Sequence, residues 1–154
     1  MSNKPKNSRI MAIDFGDART GVAVSDESAT LTGEAWVIHE KRQSVLAKTI
    51  IDEAFQRGVG IIVIGLPKNM DGTLGFRAKA SEAFAGVLRK LVEDNVRSQL
   101  NLSNIDVLLW DERLTTKMAD RILADAGKRG KKRKSSVDAL AASLILESYI
   151  ESLN

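Results

Sequence analysis

The sequence contains no cysteine, and it has only one histidine and two prolines among its 154 residues. Without cysteine the chain can form neither a disulfide nor a thiolate metal site, and it fits a reducing compartment. We also expect no signal peptide, because residues 1–8 are polar and basic with no apolar stretch behind them, and no segment approaches the length of a membrane span. We therefore expect a cytoplasmic protein that does not act at a membrane.

The composition is typical of a globular protein, since 44% of the residues are apolar and 28% are charged. A chain of this length can bury a substantial core, so we expect a single domain at 9–154 after a disordered basic tail at 1–8. The net charge of +3 is modest, but positive charge is concentrated in segment 128–134, which reads KRGKKRK.

The hydrophobic pattern predicts an α/β fold in which a mixed five-stranded sheet is flanked by helices. The first three strands form an antiparallel meander, and the remaining elements alternate between helix and strand. The predicted strands are 10–15, 20–25, 34–39, 60–65 and 105–110, and the predicted helices are 45–57, about 73–97, 116–126 and 136–152.

Asp14 stands at the end of the first predicted strand, on the same face as Ile10 and Ala12. A lone carboxylate that ends a buried row is costly unless it is paired or bound to a metal. The structural alternative is an aspartate that bonds the amides of the turn at 16–17.

Asp138 opens the predicted helix 136–152 on the side opposite its polar stripe. Its neighbours one and two turns on are Ala142 and Ile145, so its side chain should face protein and not bulk water. The alternative is a first-turn acid that favours the helix dipole behind a serine cap at 135–136. The helix dipole explains an acid in the first turn, but it does not explain an acid on the inward face.

Asp111 and Glu112 end the last predicted strand. Because adjacent strand residues point to opposite faces, only one of them should join Asp14. We favour Glu112 by a small margin, since its longer side chain reaches further from the end of a strand. The other acid would bond Arg113 or belong to the cap of the following helix, for which Thr115 or Thr116 is suited.

Two basic features are candidates for contacting a polyanion. The loop 66–73 leaves a strand and enters a helix, where free backbone amides bind anions, and Lys68 and Arg77 could assist. The second feature is the basic segment directly before Asp138, whose charged residues are Lys128, Arg129, Lys131, Lys132, Arg133 and Lys134. The alternatives are an ordinary connecting loop and a solvated flexible connector. A basic loop beside converging carboxylates suits a phosphodiester substrate.

Four segments of the chain, taken together, resemble the signatures of the YqgF/RuvX family. They read IMAIDFGDARTGVAVSD, IIVIGLPKNMDGTLG, LLWDERLTT and KKRKSSVDALAASLILESYI. They occur in the family's order, and the resemblance covers residues 9–150. The family comprises bacterial RNase H-like proteins described as Holliday junction resolvases and as pre-16S rRNA processing nucleases.

The resemblance implies an RNase H-like fold with catalytic acids at Asp14, Asp138 and the pair Asp111 and Glu112. It implies Mg²⁺ or Mn²⁺ held by Asp14, Glu112 and Asp138, with Asp14 bridging two ions, and such ions prefer oxygen ligands. The implied function is a nuclease acting on structured nucleic acid, either at the 5′ end of pre-16S rRNA or at Holliday junctions. Both a monomer and a homodimer are compatible with it.

Two other classes of protein compete with the nuclease. A strand that ends in Asp-x-Gly before a hairpin also occurs in the actin and hexokinase superfamily, where it meets ATP phosphates, but that fold normally needs two such domains and this chain is too short. The other class is an adaptor that binds nucleic acid through an idle site. Cleavage that depends on metal would separate the nuclease from the adaptor, and binding of ATP would support the first alternative.

Overall fold

A mixed β-sheet lies at the centre of the fold. The computed structural model describes residues 9–98, 104–111 and 130–153, except for the side chains of residues 130–136. The five strands of the sheet are β1 (Arg9–Asp14), β2 (Arg19–Ser25), β3 (Thr32–His39), β4 (Val59–Leu66) and β5 (Asp106–Asp111). They lie in the order β3-β2-β1-β4-β5. The pairs β1–β2 and β2–β3 are antiparallel, whereas β4 runs parallel to β1 and β5 runs parallel to β4. The predicted mixed five-stranded sheet is therefore confirmed.

Within the described ranges, three helices pack on this sheet: α1 (Gln43–Arg57), α2 (Phe76–Ser98) and α3 (Gly130–Ser152). Helix α1 ends as predicted at Gly58, whose backbone is left-handed with φ of 71°. Helix α2 begins three residues later than predicted because Asp71 and Thr73 form a side-chain-bonded turn, in which the Thr73 amide and hydroxyl both donate to Asp71 Oδ1. The predicted helix 116–126 lies outside the described residues.

Helix α3 begins at Gly130, inside the basic segment, and not at residue 136 as predicted. Lysine and arginine are good helix formers, so the helix extends back through this segment. The expectation that residues 130–134 form a loop is therefore wrong. The structural alternative of a serine cap at 135–136 is wrong as well, since both serines lie inside the helix. Asp138 is the ninth residue of α3, too far from its N-terminus for a first-turn acid.

The sheet has a separate hydrophobic core on each face. Helices α1 and α2 cover the face that carries Met11 and Ile13. Helix α3 covers the face that carries Ile10 and Ala12. By strand alternation, Asp14 ends the row of residues under α3, as its position in the sequence predicted. Among the described residues, no helix is both long enough and apolar enough to cross a membrane.

Candidate active site

The site lies at one edge of the sheet, where the parallel strands β1, β4 and β5 all end. Asp14 is the last residue of β1, and its antiparallel partner on β2 is Gly21. On its other side the register of β4 puts Gly65 next to Asp14, and Gly65 in turn pairs with Trp110 on β5. The position between Asp14 and Trp110 therefore has no side chain, which leaves room beside the carboxylate under α3.

Gly21 brings helix α3 to Asp14. A Cβ atom added at Gly21 would collide with the backbone carbonyl oxygen of Asp138 and would lie 2.7 Å from its carbonyl carbon. Only glycine allows the helix backbone to approach the strand this closely. Because Gly21 is the direct partner of Asp14, this contact places Asp138 beside Asp14. The structure thus brings two of the acids identified from the sequence to one point.

The surroundings of Asp14 disfavour its charged form. Burial raises the pKa of Asp14 from the ordinary value of 3.8 to about 6, and the negative charge of Asp138 acts in the same direction. The positive charge of Arg77 opposes the shift. A partly buried carboxylate next to another acid lowers the stability of the metal-free fold, which is typical of a ligand or a catalytic group.

Asp138 is also partly buried, with 21% of its side chain exposed. Burial raises its pKa, and several cations oppose this change. The largest opposing effect is the hydrogen bond that Arg19 donates from Nε to Asp138 Oδ2 at 3.1 Å, followed by the charges of Arg19, Arg77 and His39. The prediction that Asp138 faces protein is confirmed, since Ala142 and Ile145 are buried.

Arg19 and His39 are site residues that the sequence analysis missed. They are paired with each other at the ends of β2 and β3 that meet the acidic edge. The turn that connects Asp14 to Arg19 is tight: a Cβ atom added at Gly16 would strike the carbonyl oxygen of Arg19. The sequence does contain a signal for Arg19. In a short hairpin, the first residue of the second strand lies at the edge of the sheet where the first strand ends.

Asp111 does not lie on the same face as Asp14. It is the exposed last residue of β5, and by alternation it shares the face of Val107 and Leu109, which pack under α1 and α2. Trp110 lies on the α3 face, where its Nε1 donates to Ser148 Oγ at 3.0 Å. Glu112 is outside the described residues. In the described part of the chain, no three groups of histidine, cysteine or acid type come together as a metal cluster, and Asp14 and Asp138 stand as a pair.

The structure places the predicted basic residues unequally. Arg77 lies in the first turn of α2, exposed, and close enough for its charge to act on both Asp14 and Asp138. Lys68 follows β4, and its amide donates to the Leu66 carbonyl at 2.9 Å. The residues at 131–134 belong to the first two turns of α3, so their backbone lies about 6 to 10 Å along the helix axis from Asp138. Lys128 and Arg129 lie outside the described residues.

The donors at this edge fit a hard divalent cation. Asp14 and Asp138 offer only carboxylate oxygens, which Mg²⁺ and Mn²⁺ accept more readily than soft metals do. The two acids repel each other at neutral pH, and a cation between them would relieve that repulsion. Both the oxygen ligands and the proximity of the two carboxylates therefore fit the expected Mg²⁺ or Mn²⁺.

Comparison with known protein families gives one match over nearly the whole chain. The model of the family described as RuvX, Holliday junction resolvase, matches residues 8–152. A relative from Bacillus cytotoxicus is 40% identical over 146 residues, which cover 94% of this chain and 98% of the relative. A relative from Bacillus thuringiensis strain Al Hakam has the same identity and coverage. Both relatives bear the provisional name pre-16S rRNA nuclease.

Solved structures share the fold at much lower identity. The yeast mitochondrial Holliday junction resolvase aligns with a TM-score of 0.57 at 12% identity, covering 92% of this chain and 77% of that one. Thermus thermophilus RuvC aligns with a TM-score of 0.52 at 13% identity, covering 94% and 96%. The fowlpox virus resolvase, solved with Holliday junction DNA, gives 0.51 at 15% identity and covers 94% and 98%. The expectation of an RNase H-like fold is confirmed.

Proposed function

Because this chain belongs to the RuvX family, we propose that it is a nuclease that hydrolyses phosphodiester bonds in structured nucleic acid with Mg²⁺ or Mn²⁺. The observation that carries the proposal is the contact of α3 with Gly21, which sets Asp138 beside Asp14 at the edge where the parallel strands end. Inward carboxylates without a neutralising metal would only weaken the fold.

The metal ligands we propose are Asp14, Asp138 and Glu112. Asp111 lies on the face of β5 opposite to that of Trp110 and Asp14, which argues against it as a ligand shared with Asp14. This supports Glu112 as the third ligand over Asp111. Divalent metal held by these side chains would supply the activation of a water molecule and the stabilisation of the leaving oxygen.

The cations around the acids serve the substrate. Arg77 and Arg19 put positive charge next to Asp14 and Asp138, where a phosphodiester must approach two carboxylates that repel it. The basic residues at 131–134 precede Asp138 on the same helix. They are suited to hold the phosphate backbone that leads away from the scissile bond, whereas Lys68 stands in the loop after β4.

For the substrate we propose the 5′ end of precursor 16S rRNA, with the four-way DNA junction as the second candidate. The relatives at 40% identity carry the RNA name, whereas the resolvases solved as structures share only the fold. Neither an ATP-binding module nor an idle adaptor is favoured by these matches.

Cleavage assays with the purified protein test this proposal. Labelled RNA that carries the 5′ leader of 16S rRNA and a labelled four-way junction are each incubated with Mg²⁺, Mn²⁺ or EDTA. We expect leader cleavage with either metal, none with EDTA, and none by the Asp14→Asn variant. Cleavage of the junction alone would reassign the substrate. If neither substrate is cut at high enzyme concentration while both are bound, the idle adaptor becomes the better description.

A further inference from the structure

Arg19 is the one side chain of the described residues that forms an ion pair with a proposed metal ligand. It lies at the start of β2, next to the tight turn that follows Asp14, and 40% of its side chain is exposed. Its bond to Asp138 uses Nε alone. The Nη groups are not engaged by any other group in the described part of the chain, so a guanidinium anchored on one carboxylate keeps donors for a second anion.

This arrangement gives Arg19 two opposed effects on the site. As a counter-ion it neutralises Asp138, which stabilises the protein before metal binds. As a fixed positive charge beside a divalent cation it weakens the binding of that cation. A singly and a doubly charged cation a few ångströms apart in solvent-like surroundings repel enough to change affinity about tenfold. The orientation that Arg19 gives to Asp138 is a smaller effect, because only one short side chain would be freed.

We propose that Arg19 occupies Asp138 as its counter-ion and, when a divalent cation takes over that charge, turns its Nη donors to a substrate phosphate. The inference rests on the proposed function and deepens it, since it assigns Arg19 to the exchange between the metal-free and the loaded site. The proposal predicts opposite changes in metal affinity and in cleavage rate. A variant without this guanidinium should bind metal more tightly and yet cleave its substrate more slowly.

The test compares Arg19→Gln and Arg19→Lys with the wild type, using the full chain. Calorimetric titration with Mn²⁺ in the absence of nucleic acid measures metal affinity, and single-turnover cleavage at saturating Mn²⁺ measures the chemical step. We expect Arg19→Gln to bind Mn²⁺ about tenfold more tightly and to cleave on the order of 100-fold more slowly, the usual loss when one donor to a developing charge is removed. Arg19→Lys keeps the charge, so its Mn²⁺ affinity should stay near that of the wild type while part of the rate is lost.

Arg9→Gln is the matched control. Arg9 begins β1 at the opposite edge of the sheet, is 34% exposed and pairs with Glu27 at 3.3 Å, so the substitution makes the same charge change far from the acids. It should alter neither quantity. Weaker or unchanged Mn²⁺ binding by Arg19→Gln would overturn the inference, as would tighter binding with an undiminished rate. A wild type that neither binds Mn²⁺ nor cleaves would instead remove the proposed function, and the inference with it.

Discussion

Replacing Asp14 by Asn should stabilise the metal-free protein at neutral pH. Burial holds the pKa of Asp14 at about 6 in the fold against an ordinary 3.8, so the ionised form is penalised only in the folded state. Well below pH 4 the side chain is protonated in both states and the penalty is absent. The penalty grows as the pH rises from about 4 to about 6, and above that pH the protein has lost roughly 3 kcal/mol of its free energy of unfolding. The Asn variant escapes this loss, and we expect a gain of about 1 to 3 kcal/mol at pH 7.

The assay is urea unfolding in EDTA at several pH values between 4 and 7.5, because the difference between wild type and variant isolates Asp14 from the other acids. The two proteins should be nearly equal in stability at pH 4 and diverge as the pH rises. Asp17→Asn is the control, since Asp17 is exposed in the adjacent turn and its loss should change stability little. A variant at Asp14 that is less stable than the wild type at pH 7 would refute the reasoning and return Asp14 to a structural role in the turn.

Three further predictions concern the rest of the site. Gly21→Ala should push α3 away from β2, lower the free energy of unfolding by about 1 to 3 kcal/mol and slow cleavage. Gly86→Ala is the control: an added Cβ there meets open space within α2, so it should raise the free energy of unfolding by about 0.5 to 1 kcal/mol. Equal effects of the two variants in chemical denaturation would contradict the close approach of α3 to Gly21. Glu112→Ala should abolish cleavage and Asp111→Ala should largely spare it, so equal mild losses would remove both from the metal shell. Serine in place of the three basic residues at 131–133 should make the log–log salt dependence of binding shallower by roughly one unit per lost phosphate contact, and an unchanged slope would show that they do not contact the substrate.

The sequence predicted the site residues best where hydrophobic periodicity places a charged residue on a buried face. Asp14 ends an alternating apolar row, and Asp138 lies on the inward side of an apolar helix, so each could be identified without knowing the fold. That the two meet depends on the approach of α3 to Gly21, a contact between segments more than a hundred residues apart. Hydrophobic periodicity holds no information on such a contact, and the family resemblance had to supply it.

The errors have similar physical origins. The start of α3 was set too late because serines suggest a helix cap, while the lysines and arginines before them continue the helix. The density of charge along the sequence does not point to Arg19, because it is a single arginine at the start of the second strand of a tight hairpin, yet it forms the ion pair with Asp138. Strand alternation predicts that only one of Asp111 and Glu112 shares the face of Asp14, but it does not say which one. The packing of Val107 and Leu109 in the structure shows that Asp111 lies on the opposite face.

The central claim is that Asp14 and Asp138 hold a divalent cation together. Its most direct measurement is the anomalous difference density of a crystal soaked in Mn²⁺, with an Asp14→Asn crystal soaked in the same way as the control. We predict a manganese peak bridging the two carboxylates, with Glu112 and not Asp111 as the third protein ligand, and no peak in the variant. A wild-type crystal with no manganese between Asp14 and Asp138, or with manganese only elsewhere, would contradict the account.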